Sequence, residues 1–535
     1  MDDTTYSDAS VIRTINERFV PVRVDIDKRP DISDRYNRGG FPTTAFLSEQ
    51  GELIWGATYV PPEDMRNVLK ALLDAKDKGE VDAALERERM QYLDLSKALE
   101  KTEMADREFV DAVFEDIFAS YDVEWGGFGT EPKFPHADAI NLLLERYART
   151  KDEELASAVR STLDHMTEGL FDPVEGGVFR YSVKRDWKLP HFEKMLDTNL
   201  GFLGNLARAR LILGEMRFEK TAEGVANYLF SNLRDPETGA FFSSQDADEE
   251  YYRLDKDLRN GRRAPKVIRD IFSGLNCRAV RTLTETGALL GKKEWAEVGR
   301  EAWDATLRDH WSTANGLVRH RAGEELYLFD DQVDFLEALM SVAETQTDAE
   351  SERTLMLGED LFEGVAKAFA HPDGGFSDIR KESDAIGKLA EPDRSIAANS
   401  RWAMALGLFG AANYRPERVQ EAWKILRSFP PKRTQAAGMF SAEYVLAWDA
   451  LELRPQAVEI HGISGRSTIS NELWLSAKRA LHPSTVVMAA RKAMLETPTA
   501  GRPFAVVCGE TGCSKEIYES DELVRRLTMA PPGQI

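Results

Sequence analysis

Gly176-Gly177-Val178-Phe179-Arg180-Tyr181-Ser182 ends one long helical segment, and Trp187 with Pro190-His191-Phe192-Glu193-Lys194-Met195-Leu196 leads into the next. A glycine pair followed by an aromatic suits a turn that needs positive φ and then packs back on the helices it joins. The same break recurs at Trp125-Gly126-Gly127-Phe128, Thr238-Gly239-Ala240-Phe241, Asn315-Gly316-Leu317-Val318, Asp373-Gly374-Gly375-Phe376 and Ala437-Gly438-Met439-Phe440, at intervals of 50 to 77 residues. Each interval holds two ordinary helices and their loops. Six helical hairpins in succession predict a closed (α/α)₆ toroid over residues 105–453, with an open solenoid as the alternative arrangement.

The flanks read differently. Residues 1–78 are mixed α/β. Ser7-Asp8 caps a short helix ending near Phe19, Val20 to Ile26 alternates like a half-buried strand, and Phe46-Leu47 and Leu53-Ile54-Trp55 flank a turn. Glu63 to Lys76 closes that unit as an amphipathic helix. Residues 79–104 read as a charged helical linker. Residues 454–535 return to α/β, with strands at 457–460, 485–489 and 504–508 and helices at 471–481 and 522–527.

The chain has 535 residues, 42% hydrophobic and 30% charged, with a net charge of −22. Such an acidic balance argues against a nucleic-acid or anionic-membrane surface. No run reaches 18 consecutive apolar residues, so no membrane span is expected. The acidic start Met1-Asp2-Asp3 lacks the features of a secretory signal, and three cysteines make no disulfide framework. The expected compartment is a reducing cytoplasm. Cys508 and Cys513, four residues apart, can close a disulfide, remain a buried thiol pair or supply half of a metal site. No second pair accompanies them, and no metal or other cofactor is expected.

Four motifs carry a resemblance: Glu131-Pro132-Lys133-Phe134-Pro135-His136, Phe179-Arg180-Tyr181-Ser182, Pro190 to Leu196, and Ser243-Ser244-Gln245-Asp246-Ala247-Asp248. They resemble signatures of the thioredoxin-domain-containing family of spermatogenesis-associated protein 20 and bacterial YyaL. That resemblance implies a thioredoxin-like domain before a toroid similar to six-hairpin glycosidases and N-acylglucosamine 2-epimerases. Gly40-Phe41-Pro42-Thr43 stands where the thioredoxin fold carries its cis-proline, although the proline can equally start a strand in the trans form. The Cys-x-x-Cys that dithiol chemistry requires is absent, since no cysteine precedes Cys277. Either the start codon was placed too late or the domain is a structural remnant. The chain also departs from the family's pattern at Ile268, Leu275 and Ser395 to Ser400.

His191, Glu193, Asp246 and Asp248 are the expected catalytic groups, because epimerisation or glycoside hydrolysis needs one group to give a proton and another to take it. Arg180, Tyr181, Lys133, His136, Trp187, Asn276 and Asn399 are the expected substrate-binding residues. Trp187 and Trp125 can stack on a sugar or pack a hairpin, and Asn276, Asp330, Asp331 and Asn399 fall near helix starts, where capping is the ordinary role. Two functions follow: a carbohydrate-active or carbohydrate-binding toroid with epimerase-like proton transfer, or a non-catalytic or redox-partner scaffold whose α/β ends dock another protein. The expected partner is a small carbohydrate in the first case and a protein in the second.

Overall fold

The computed structural model describes residues 1–87, 89–90, 105–380, 385–462, 471–490, 502–510 and 512–529. The chain divides into two compact units, one made of Met1–Glu103 with Ser377–Arg394 and one of Met104–Phe376 with Ser395–Ile535. The single-turn elements are left unnumbered below.

In the first unit, α1 (Ala9–Arg18) starts at Asp8, whose carboxylate accepts from the backbone N–H groups of Ser10 and Val11. Then come α2 (Pro30–Tyr36), the antiparallel pair β1 (Thr44–Leu47) and β2 (Leu53–Ala57), and α3 (Pro62–Asp77). Val11, Val60, Met65 and Leu69 form the core, with Phe19, Phe46 and Trp55 packed against it. The Phe41–Pro42 bond is cis. The strand expected over Val20–Ile26 does not form. It has no neighbouring strand among the described residues to satisfy its ladder groups, and Val20 and Val22 are exposed. Residues 377–394, expected inside the toroid, group with this unit. Arg35 pairs with Asp378 at 2.7 Å and donates from Nε to the Lys388 carbonyl.

The second unit is a closed ring. Six inner helices follow one another around the bore: α5 (Ala137–Thr150), α7 (Leu196–Ile212), α9 (Ser273–Leu290), α11 (Phe329–Thr345), α13 (Ile396–Ala412) and α15 (Ala442–Glu452). Each packs on the next, and α15 packs back on α5. The outer layer is α6 (Glu153–Leu170), α8 (Met216–Tyr228), α10 (Lys293–Asp309), α12 (Asp348–Phe369) and α14 (Pro416–Arg427). Its sixth member is α4 (Arg107–Ala119), which pairs with α15, so the first and last helices make one hairpin. The inner helices run parallel, because Arg278 meets Asp334 and Arg281 meets Glu337 at the same offset between α9 and α11. The seam is clasped by Asp449 on α15. It is fully buried, accepts from Arg107 (2.5 Å) and Arg149 (2.6 Å), and is ion-paired with Arg146 (2.9 Å). An open solenoid is thereby excluded for this unit.

The glycine breaks hold the ring's hairpins by a repeated backbone lock. In the second, Asp172 N–H donates to Gly177 O and Gly176 N–H to Asp172 O, with Gly177 at φ +73°. Four inner helices then present an amide at their fourth residue: Asn199, Asn276, Gln332 and Asn399. Each side-chain oxygen accepts from the backbone N–H of a residue one or two positions after the turn glycine (Val178, Phe241, Val318, Phe376), at 2.7 to 2.8 Å. Each side-chain nitrogen donates to that same residue's carbonyl.

The C-terminal part pairs β3 (Gln456–His461) parallel to β4 (Thr485–Ala489) and antiparallel to β5 (Phe504–Gly509), with α16 (Glu472–Arg479) and α17 (Ser520–Met529) packed together on it. It floors the ring. Glu344, near the end of α11, accepts from Lys478 Nζ (2.7 Å) and Val487 N–H (2.9 Å), and its carbonyl accepts from Trp474 Nε1 (2.9 Å). Cys508 and Cys513 are joined as a disulfide, with Cys513 exposed, so they are not a buried pair of thiols.

Candidate active site at the mouth of the helical ring

The N-terminal ends of the parallel inner helices gather at the end of the ring away from that floor, and the expected site residues divide there into two sets. One set is structural. Lys133 is fully buried, its Nζ donating to Asp122 (2.6 Å) and to the Gly129 carbonyl (3.0 Å). Trp187 is fully buried against Gly127, and its Nε1 donates to the Trp125 carbonyl. Asn276 and Asn399 spend both ends of their amides on the backbone lock and are buried. None of these four faces a ligand, and their binding assignment is corrected. The cause is common: a buried backbone turn must have its N–H and C=O groups paired, and these side chains pair them or hold the turn.

Lys194 repeats the role of Lys133 at the next turn. Its Nζ donates to Asp172 (2.7 Å) and to the Gly176 carbonyl (2.7 Å) among the rings of Phe179, Tyr228 and Tyr252. Burial pushes its pKa down to about 8, although the Asp172 carboxylate works in the opposite direction. Asp248 caps the turn Glu249–Tyr252 by accepting from Tyr251 N–H, and Asp246 is exposed with an oxygen on Ala247 N–H.

The other set lies on the rim. Tyr181 and His191 face each other in a short antiparallel ladder, their rings stacked at 4.9 Å. Phe134 stacks on the other end of this column, 4.6 Å from Tyr181. His191 is 45% exposed and hydrogen-bonds through Nδ1 to Glu193. His136, immediately before α5, touches Phe134, Phe128 and the exposed Phe440, and burial lowers its pKa. Arg180 donates its backbone N–H to the Glu193 carbonyl (2.8 Å), and its half-buried guanidinium has no hydrogen-bond or ion-pair partner among the described residues.

Beside the rim stands a feature of which the sequence shows only Asp330, as a residue near a helix start. Asp138, Asp197, Asp330 and Glu443 are each the second residue of an inner helix (α5, α7, α11 and α15). A carboxylate in a first turn is ordinarily stabilised by the helix dipole, but here desolvation outweighs it at two positions. Burial, followed by the nearby Asp334 carboxylate, pushes Asp330 up to about 6. Burial, followed by Asp138, with which it shares a hydrogen bond, pushes Glu443 up to about 8. Below them Asp334 is salt-bridged to Arg278 (2.9 Å) and Arg401, and Glu337 to Arg281 and Arg401. Burial opposes ionisation of Asp334, yet the two guanidiniums prevail and hold its pKa below the ordinary value. The mouth therefore carries two carboxyls whose pKa values burial and neighbouring carboxylates raise, above a salt-bridged layer. The signal was present in the sequence as an acid at the second position of four inner helices. It became visible only once the helix starts were known.

Residues 1–100 match a thioredoxin-like DsbH family model described as "Protein of unknown function, DUF255". Spermatogenesis-associated protein 20 of Rattus norvegicus is 30% identical over 274 residues, which is 46% of this chain and 34% of that protein. Its Homo sapiens counterpart is 28% identical over the same shares. The chain thus covers about a third of the length of these relatives. Among solved structures, cellobiose 2-epimerase from Bacillus thermoamylovorans B4167 is similar at 11% identity and a TM-score of 0.48, over 60% of this chain and 86% of that one. A D-mannose isomerase is similar at 12% identity and a TM-score of 0.47, over 60% and 85%. The match over residues 1–100 and the similarity to spermatogenesis-associated protein 20 agree with the resemblance read from the sequence, and the closed ring of helix pairs is the toroid expected there.

Proposed function

We propose that the ring is carbohydrate-active, taking a small sugar at its mouth and moving a proton at a sugar carbon as epimerases and isomerases do. The observation that carries this reading is the pair Asp330 and Glu443, with pKa values of about 6 and about 8. A carboxyl raised towards neutral pH is suited to give or take a proton there, and two such groups at the same end of the ring offer both roles. The Phe134–Tyr181–His191 column and Phe440 offer ring faces to the C–H face of a sugar. Arg180 and the His191–Glu193 pair supply polar contacts at the rim. The assay is incubation of mono- and disaccharides with the protein in D₂O, read by NMR. Deuterium entering a carbon-bound position of one sugar supports the reading, and no exchange or interconversion across the panel removes it.

A second reading is favoured by the exposed Val20 and Val22 beside a thioredoxin-like front without cysteines: a scaffold that docks a protein through residues 1–75. Pull-downs in which Val20→Ser with Val22→Ser abolishes a reproducible partner would support it, and partners indifferent to that change would count against it.

A further inference from the structure

Of the chain's three cysteines, Cys277 on α9 is fully buried, and the thioredoxin-like front has none. The remaining two, Cys508 and Cys513, stand opposite each other in the ladder between β5 and the short strand Gly512–Cys513, and their disulfide closes that hairpin. Its two ends lie in different surroundings. Cys508 is 4% exposed and clusters with Phe504 and Val506, with Tyr414 and Tyr518 packed against them. Cys513 is exposed, as are Glu510, Gly512, Lys515 and Glu516 around it. An incoming thiolate can therefore reach Cys513 and not Cys508.

The hairpin does not depend on the bond. Ser514 N–H donates to the Val507 carbonyl (2.8 Å), and Val507 N–H donates to Ser514 Oγ (3.0 Å). Ala505 and Ile517 exchange two backbone hydrogen bonds of 2.8 Å each, and Ile517 is buried in the core that also holds Trp474 of α16 and Leu523 of α17. A link between residues five positions apart removes little unfolded-chain entropy beside one that closes a long loop. The ladder keeps the native turn without it. The bond is thus placed for exchange rather than for stapling.

We propose that Cys508–Cys513 is a site of dithiol–disulfide exchange, with Cys513 the sulfur attacked and Cys508 the sulfur that leaves and later resolves. A thiolate of an external dithiol bonds to Cys513 Sγ. The Cys508–Cys513 bond breaks, its electron pair passes to Cys508 Sγ, and that sulfur takes a proton. The second thiol then attacks its own partner sulfur, so the dithiol leaves as a disulfide and Cys513 is released and protonated. The dithiol loses two electrons and the pair gains two. Run backwards, with Cys513 as nucleophile, the same steps reduce an external disulfide. A monothiol reaches only the mixed disulfide, which Cys508, directly across the ladder, displaces again. This proposal stands apart from the sugar reading.

The test uses the full chain without denaturant, with thiols counted by a chromogenic disulfide reagent and adducts by mass spectrometry. Dithiothreitol should open the pair, oxidised dithiothreitol should close it, and the melting temperature should move by less than about 3 °C. Glutathione disulfide should load Cys508→Ala at Cys513 at least about tenfold faster than Cys513→Ala at Cys508. Reduced wild type should return to the disulfide with no stable glutathione adduct. A pair that opens only in denaturant, or whose opening lowers the melting temperature by more than about 3 °C, is a structural cross-link only and overturns the proposal. Equal loading of the two variants, or a lasting adduct on wild type, overturns it as well.

Discussion

Replacing Asn276 by alanine separates a structural amide from a ligand-binding one. In the fold its Oδ1 accepts from Phe241 N–H at 2.7 Å, and its Nδ2 donates to the carbonyls of Phe241 and Phe272, each at 3.0 Å. The side chain is buried, and so is Phe241, so no water stands ready to take over. Truncation strands one N–H and one C=O of the glycine turn, at about 1–3 kcal/mol each. The expected loss is therefore about 2–6 kcal/mol, or roughly 2–7 °C in melting temperature for a unit of this size. Asn399→Ala should behave alike, because its bonds to Phe376 repeat the arrangement. His191→Ala, at a side chain 45% exposed, should stay within about 0.5 kcal/mol of wild type. Thermal unfolding followed by tryptophan fluorescence reads all three. An Asn276→Ala protein that melts like wild type but no longer binds a sugar would refute the lock and restore the residue to the site.

Lys194→Ala should cost about 1–3 kcal/mol, since it strands the Gly176 carbonyl and leaves Asp172 with Arg259 as its one remaining buried cation, and a chemical-denaturation midpoint would report it. Gly177→Ala should cost about 3 kcal/mol or more and lower soluble yield, because the added Cβ meets the Tyr228 ring at 2.5 Å with φ at +73°. The raised Glu443 makes the ring sensitive to alkali. A carboxyl whose folded pKa exceeds its unfolded value contributes stability present at low pH and lost as pH rises towards about 8. Melting temperature should fall between pH 5 and pH 8, and Glu443→Gln should flatten that fall; an unchanged slope in the variant would assign the fall elsewhere.

The ring was legible because its signal is local and repeated: glycine at positive φ, then an aromatic, between helices of ordinary length. The C-terminal strands were legible for a similar reason, being short apolar runs that pair with one another. The strand expected at Val20–Ile26 was not, because alternation alone cannot supply a neighbouring strand. Residues 377–394 were misassigned because their partners, Arg35 and Gly51, lie more than three hundred positions away. At the site, residue type misled where one side chain serves two trades. Lys133 and Asn276 have groups suited to a substrate, yet a buried turn claims them first. Asp330 and Glu443 look like ordinary first-turn acids in the sequence, and only the desolvation created by ring closure shifts them towards neutral pH.

The most direct measurement is the rate of solvent-deuterium entry into the responsive sugar with Asp330→Asn and Glu443→Gln, set beside Asp246→Asn at pH 7. Loss of a general acid or base typically costs about 10²–10⁴-fold, so the first two should fall by at least about a hundredfold with binding retained, and the third should keep its rate. Wild-type exchange in Asp330→Asn and Glu443→Gln would contradict a site at the mouth of the ring.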